Sequence, residues 1–498
     1  MQAVQVLAGM LAGTHLSAMG RGLAGTSYVL SKALYHAEHE GLHPQVAAIL
    51  SSNLARTIDR PTRVPGVPSS LLPGSPAVGG FGMLPLSQHI TARHLKWACR
   101  LLRHLVPAPP QPSQPAGQIQ QGMVTQPRLA QQPAWVTAAS TILRQVCPGL
   151  HPAQTLLLAF QSEADHISQG FLTGVPLQRM LIPQGPLLRM AQALQTMGGI
   201  HFHPQAHNAP PDLPLLWLQL QGIPDAALAV GIHALVWGSQ LEAGIQDAMG
   251  PARPATVRAL TALQMTAQDV ARRAAHAAYA RQALADSGLT ADVQQQRCTS
   301  FIAGFPRLWR MPWDNQFKEV LWRLAVNGVQ GAGGHGICHR GQCVCGYQLT
   351  QAQIRSKQST LHRQHAFWDC PVAQAVRQQL QRGLPAGRQL AQWHVWLLQP
   401  PPASGVRPVV WRVVCIAALW AMEQGRRYLW WAQSEQQAHA MQRAIARACS
   451  CFWYALLDFS RDRRVATAPG WAAVGPRHPF LAVHITPPLT ARVVVHHP

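Results

Sequence analysis

Apolar positions along the chain recur mostly at helical spacing, the signature of helices with one buried face. Over 254–286 the larger apolar residues Val257, Leu260, Leu263 and Val270 recur with alanines between them, and Gly288 lies just beyond. Over 314–328, Asp314 is placed to cap a helix, Phe317, Val320, Leu321 and Leu324 form one face, and Gly328 ends it. The segments 408–424 and 434–460 read as two more helices, separated by a break at Gly425-Arg426-Arg427. The stretch 90–105 is the most clearly two-faced. At helical pitch Arg93, Lys96, Arg100 and Arg103 fall in a stripe about 80° wide, with Leu95, Ala98, Leu101, Leu102 and Leu105 opposite. Such a stripe fits either a solvated face or a row of phosphate contacts, and Trp97 beside it either caps the core or stacks on a base. Convincing two-residue alternation is absent, so the expected fold is mainly α.

Proline and glycine divide this pattern. Pro61–Pro85 is turn-rich, and 107–133 is a Pro/Gln/Gly linker with little aliphatic content, expected to be disordered. Shorter breaks fall at 204–214, 331–336 and 400–408. The expected organisation is a helical region over 1–106, the linker, a helical domain over 134–311, a zinc-binding-like segment over 312–399 and a C-terminal helical region over 400–498. Irregular helical domains are thus joined by Pro/Gly-rich linkers.

Charge sharpens the functional reading mainly by exclusion. The 498 residues carry 41 basic and 19 acidic side chains, a formal balance of +22. Basic residues are not enriched; the excess arises because carboxylates are scarce. Weak adhesion to polyanions follows, but not dedicated nucleic-acid binding. Lys32, Lys96, Lys318 and Lys357 are the only lysines. A polymerase needs adjacent aspartates to hold its metal pair, and the sequence contains no Asp-Asp. Nuclease chemistry needs several convergent carboxylates; Glu38/Glu40, Glu163/Asp165 beside His166, and Asp458/Asp462 are the available pairs. The last reads best as a surface ion-pair cluster with Arg461, Arg463 and Arg464. The histidines at 201, 203 and 207 fall in a Pro-rich break and are best ascribed to chance. Cys449 and Cys451 diverge on a helix, and Gly331–Gly336 lacks the lysine of a phosphate loop. No enzyme activity is expected.

The apolar stretches Ala226–Trp237 and Val409–Met422 are too short to span a bilayer, and the N-terminal residues lack a basic targeting region. The expected location is intracellular, cytoplasmic or nuclear, without a membrane partner. Cys99, Cys147, Cys298 and Cys415 sit singly in apolar contexts, as reduced buried thiols do.

One region concentrates chemistry. Cys338, Cys343, Cys345, His362, His365 and Cys370 fall within 33 residues. Zinc favours four thiolate or imidazole ligands, two from a tight knuckle and two from a later turn or helix. Cys343-Val-Cys345-Gly346 fits the first half, and His365-x4-Cys370, broken at Pro371, fits the second. Cys338-x4-Cys343 is a competing first pair, and a set of reduced cysteines without metal is the competing reading.

These residues also resemble a known family. The run PWDNQFKEVLWRLAVNGV (312–329), the cluster, and HAFWDCPVAQAVRQQL (365–380) resemble the C-terminal part of non-LTR (LINE-type) retrotransposon polyproteins. In that family a zinc-binding segment follows the reverse transcriptase, with a pattern like Cys-x2-Cys, a short spacer, His-x4-Cys and a CP-x-A helix start. VWRVVCIAALWAMEQGRRYLWW (410–431) is similar to the helix after that segment. Residues 20–42 and 79–105 look like the helical region before it. This chain departs in its Cys-x-Cys pair, in the 19 residues between Cys345 and His365, and in lacking the polymerase palm.

The resemblance implies a structural zinc held by Cys343, Cys345, His365 and Cys370, with Cys338 as alternative, and a non-catalytic protein that binds RNA or single strands. Arg340, Arg355, Lys357, Arg363 and the Arg93, Lys96, Arg100 and Arg103 stripe would then neutralise phosphates. Trp368 would offer a stacking face or pack beneath the metal loop. No small-molecule substrate is expected. The competing class is a metal-free helical scaffold or a non-functional retrotransposon relic.

Overall fold

A computed structural model describes residues 2–39, 41–59, 67–76, 79–105, 133–146, 152, 156, 185–201, 256–328, 343–348, 350, 363–432, 437–461, 481–486 and 490–495. Its helices in chain order are α1 (Gln2–Ala12), α2 (Ala18–Ala24), α3 (Ser31–His39), α4 (Pro44–Ile58), α5 (Leu86–Leu105), α6 (Ala134–Val146), α7 (Pro186–His201) and α8 (Val257–Leu263). There follow α9 (Thr266–Leu284), α10 (Ala291–Trp309), α11 (Asn315–Ala325), α12 (Pro371–Arg382), α13 (Gln392–Trp396), α14 (Pro408–Trp431) and α15 (Gln437–Arg461). Strands β1 (Leu481–Thr486) and β2 (Thr490–Val495) come last. The fold is mainly α. No helix among the described residues is long and apolar enough to cross a membrane.

Two compact units form. One takes Met1–Leu30, Leu50–Leu84 and Ala267–Pro498, the other Ser31–Ile49 and Pro85–Thr266. Both draw on separated stretches of chain, where the Pro/Gly breaks predict consecutive ones.

In the first unit α14 packs along α15, and α12 and α11 lie against α14. The reason is in the sequence of α14, which is apolar nearly all round: Val410, Trp411, Val413, Val414, Cys415, Ile416 and Leu419 are fully buried. The expected break at Gly425 does not occur; the helix runs on to Trp431. Gly425 is a contact residue. A Cβ there would meet Val372 Cγ1 at 2.6 Å, the Ala444 carbonyl oxygen at 2.9 Å and Ala448 Cβ at 2.9 Å, so glycine allows α12 and α15 to close on α14. The adjacent arginines both pair with the buried Glu423. Arg426 Nε and Nη2 donate to Glu423 at 2.7 and 2.9 Å, and Arg427 Nε donates at 2.9 Å. Burial alone would raise the Glu423 carboxyl, but the two guanidiniums outweigh it and hold it at about 2.

A second buried network joins distant segments of this unit. Arg323 donates to Asp59 at 2.5 Å and to Glu319 at 2.8 Å, Glu319 accepts the Ala18 N–H at 2.7 Å, and Asp59 accepts the Val67 N–H at 2.8 Å. Burial disfavours the Arg323 charge, yet the two carboxylates raise it above its ordinary range. Asp458, one of the carboxylates weighed for nuclease chemistry, accepts the Trp313 indole N–H at 3.2 Å.

The second unit is built on α5, which packs against α3, α6, α7 and α8. Its buried face carries Leu95, Ala98, Leu101 and Leu102, as the periodicity predicts.

Two sequence expectations are corrected here. The helical pattern over 254–286 is divided into α8 and α9 by a turn at 264–265. An antiparallel hairpin also stands where no strands are expected, pairing Leu481 with Val495, Val483 with Val493 and Ile485 with Ala491. Its six-residue strands carry too few alternations to stand out against the helical pattern, and β2 gains support from packing on α15.

Candidate metal centre

Cys343, Cys345, His365 and Cys370 converge in the first unit, their ligand atoms all within 4.8 Å of one another. Among the described residues this is the one group of His, Cys, Asp or Glu side chains so placed.

Local backbone chemistry builds each half. The Gly346 N–H donates to the Cys343 carbonyl at 3.0 Å and the Cys343 N–H to the Tyr347 carbonyl at 2.8 Å, closing a knuckle around Cys345. Gly346 sits at φ +91°, where a side chain would be strained, which is why glycine follows the second cysteine. The second half is a π-helical turn, His365–Asp369, closed by the Cys370 N–H donating to the His365 carbonyl at 2.7 Å. Cys370 then leaves the helical conformation and caps α12, with Pro371 in the first turn.

The spacing of the ligand atoms suits an ion. Cys343 Sγ lies 3.9 Å from Cys370 Sγ, and Cys345 Sγ lies 3.4 Å from His365 Nε2. Metal–sulfur and metal–nitrogen lengths of about 2.3 and 2.05 Å imply tetrahedral edges of about 3.8 Å between sulfurs and about 3.6 Å between sulfur and nitrogen. The quartet can therefore hold a metal ion with small adjustments. The sequence predicts these four residues as one set, and the structure brings them together.

Without an ion, the Cys345 and Cys370 thiols are shifted toward their protonated form. The Cys370 thiol is pushed well up by its hydrogen bond with Cys343, by burial and by the Cys343 charge, while the Val372 N–H pulls it down. Burial also raises the Cys345 thiol, and the Tyr347 N–H opposes this. Three thiols this close resist joint ionisation; a dication reverses the balance and exchanges for their protons. The sequence reading missed two supporting features. Tyr347 stacks its ring on His365 at 3.8 Å and 3°, fixing the imidazole plane. The Tyr347 N–H is directed at the Cys345 sulfur and the Val372 N–H at the Cys370 sulfur, as backbone donors around metal-binding thiolates are. An aromatic residue directly after the knuckle glycine was the available signal for the first.

Of the predicted phosphate contacts, Arg363 is overturned. It is 2% exposed, donates to Gln282 Oε1 at 3.0 Å from Nε and to the Leu324 carbonyl at 2.5 Å, and faces the rings of Tyr279 at 5.0 Å and Trp396 at 5.8 Å. Burial lowers it to about 10. Its work is to anchor the second half of the centre on α9, α11 and α13. Trp368 carries the Arg377 guanidinium 3.7 Å over its ring, and Arg377 also donates to its carbonyl at 2.9 Å. The packing role for Trp368 fits better than a free stacking face.

In the second unit, Arg93 bonds Glu38, and the Trp97 indole N–H donates to Glu38 at 2.9 Å. Arg100 is exposed and lies over Trp97 at 4.7 Å, while Lys96 is half-buried. Cys338, Arg340, Arg355, Lys357 and the Arg103 side chain lie outside the described residues, as do Cys147, Glu40, Glu163, Asp165, His166, His203, His207, Asp462 and the side chain of His201.

Compared with known proteins, the chain matches no family model and no curated protein sequence.

Proposed function

We propose that this chain is a non-catalytic, retroelement-derived nucleic-acid-binding protein in which Cys343, Cys345, His365 and Cys370 hold a structural zinc. The observation that carries this reading is the quartet itself, four protein ligands with edges near those of a zinc tetrahedron. Three thiols with one imidazole select a thiophilic, tetrahedral ion over calcium or magnesium. Four protein ligands fill the coordination sphere, so the ion binds no reactive water and serves architecture. In this reading the ion fixes the 343–347 knuckle beside α12, and RNA or single strands meet Arg340, Arg355, Lys357 and the exposed basic positions of α5.

The test has two arms. Protein purified without added metal or chelator should carry about one zinc per chain, and Cys370→Ser should lose it. RNA affinity should fall with salt with a slope of about −0.7 per phosphate neutralised and persist at moderate ionic strength. A folded parent without zinc, or adhesion that vanishes on modest salt addition, would overturn the reading in favour of a metal-free scaffold.

A further inference from the structure

The first unit holds a half-open cavity of about 390 Å³ that none of the metal ligands lines. Its walls come from the start of the chain, α11 and α14, and include Arg21, Arg323, Arg427, Gln316, Gln424 and Trp420. Three guanidiniums from three separate helices therefore meet one space.

Their orientations are fixed by other contacts. Arg21 donates from Nε and Nη2 to the Ile58 carbonyl at 3.2 and 2.9 Å and from Nη1 to the Leu16 carbonyl at 2.5 Å. Arg323 is clamped between Asp59 and Glu319. Arg427 is tethered through Nε to Glu423, yet its side chain remains 42% exposed, so its outer nitrogens are available to a ligand. Glu319, the one carboxylate among the described residues of the wall, is already engaged by Arg323 and the Ala18 N–H.

Among the described residues lining the cavity, the three guanidiniums of Arg21, Arg323 and Arg427 face one carboxylate, Glu319, so positive charge is in excess there. Burial chiefly, with the neighbouring Arg323 and Arg427 charges, lowers Arg21 against the pull of Glu319 and Asp59. An anion would relieve that excess. The remaining wall is of another kind: half-buried Trp420, held against Phe317 at 4.8 Å, together with Val320 and Leu16 offers an apolar surface. The amides of Gln316 and Gln424 add donors and acceptors. Rigid guanidiniums suit phosphate oxygens, an aromatic wall suits a planar body, and the volume lies in the usual range for small-ligand pockets.

We propose that this cavity binds an organic phosphate of nucleotide size, the phosphate meeting Arg427 and Arg21 and the planar body lying along Trp420. The source is either a free nucleotide or the phosphorylated end of a strand, and the site functions with or without the metal centre.

The test is calorimetric titration of the full chain with AMP, inorganic phosphate and adenosine. AMP should bind at least about tenfold more tightly than either part. Arg427→Gln leaves Glu423 paired with Arg426, so the fold is retained, and it should weaken AMP by about tenfold or more. Gln424→Glu, which puts a carboxylate in the wall, should abolish AMP binding, and Arg461→Gln, an exposed arginine on α15, should leave it unchanged. A 5′-phosphorylated oligonucleotide preferred over its 5′-hydroxyl counterpart identifies strand ends as the source; AMP binding without that preference identifies the free nucleotide. The proposal is overturned if AMP binds no better than phosphate or adenosine, if none binds up to about 10 mM, or if both cavity variants bind like the parent.

Discussion

The cysteine centre and the arginine-bearing face of α5 both gather polar side chains, but they resolve their electrostatics differently. On α5, Glu38 accepts from both Arg93 and Trp97, and Arg100 rests on the Trp97 ring, so much of the basic stripe is satisfied from within. At the centre, three thiols and an imidazole converge with their ligand atoms within 4.8 Å of one another. Groups neutralised by their neighbours mark architecture. Groups gathered as a set of ligands mark a place for something the chain itself does not supply.

The largest expected effect separates these cases directly. On the proposed reading, removing the zinc by chelation, or making Cys370→Ser, withdraws a binding free energy on the order of 10 kcal/mol. Hydrogen exchange should speed up sharply over 343–347 and the first turn of α12, while α14 and α15 stay protected. Unchanged exchange would place the centre with the self-satisfied clusters. Next comes the Arg323 network. Asp59→Asn leaves a buried guanidinium short of one carboxylate and should destabilise by about 3–5 kcal/mol, seen as a lower urea midpoint. Gly425→Ala should follow at about 1–3 kcal/mol, because the added methyl has no room between α12 and α15. The smallest change converts one region toward the other. Glu38→Gln should cost about 1 kcal/mol or less of stability while releasing Arg93. RNA affinity should then rise a few-fold and the salt dependence steepen by about one phosphate. Equal binding by parent and variant would remove α5 from the proposed interface.

What could be read from the sequence follows the range of the interactions involved. The quartet was legible because ligand type, knuckle glycine and helix-starting proline are all local to Cys343–Gly346 and His365–Pro371. The buried face of α5 was legible for the same reason, since its period lies in one helix. Gly425 was misread because glycine serves a chain break and a close helix crossing equally well, and only the positions of Val372, Ala444 and Ala448 decide between them. Arg363 was misread because a guanidinium enclosed by Gln282, Tyr279 and Trp396 depends on residues tens of positions away. The cavity beside Arg427 has no sequence signature at all. Its three arginines stand at positions 21, 323 and 427 and meet only through packing.

The two halves of the cysteine centre are secured unequally. His365 and Cys370 share a turn closed by its own hydrogen bond and tied through Arg363 to three helices, so that half stands as a finished dock. Cys343 and Cys345 form a self-closing clasp at the far end of the 19 residues that precede His365. An ion joining clasp to dock closes a loop, and doubling such a loop adds only about 0.6 kcal/mol. The length between the halves is thus nearly free to drift over evolutionary time, and the intervening stretch is a place where insertions can accumulate and new binding specificities be tried without dismantling the centre.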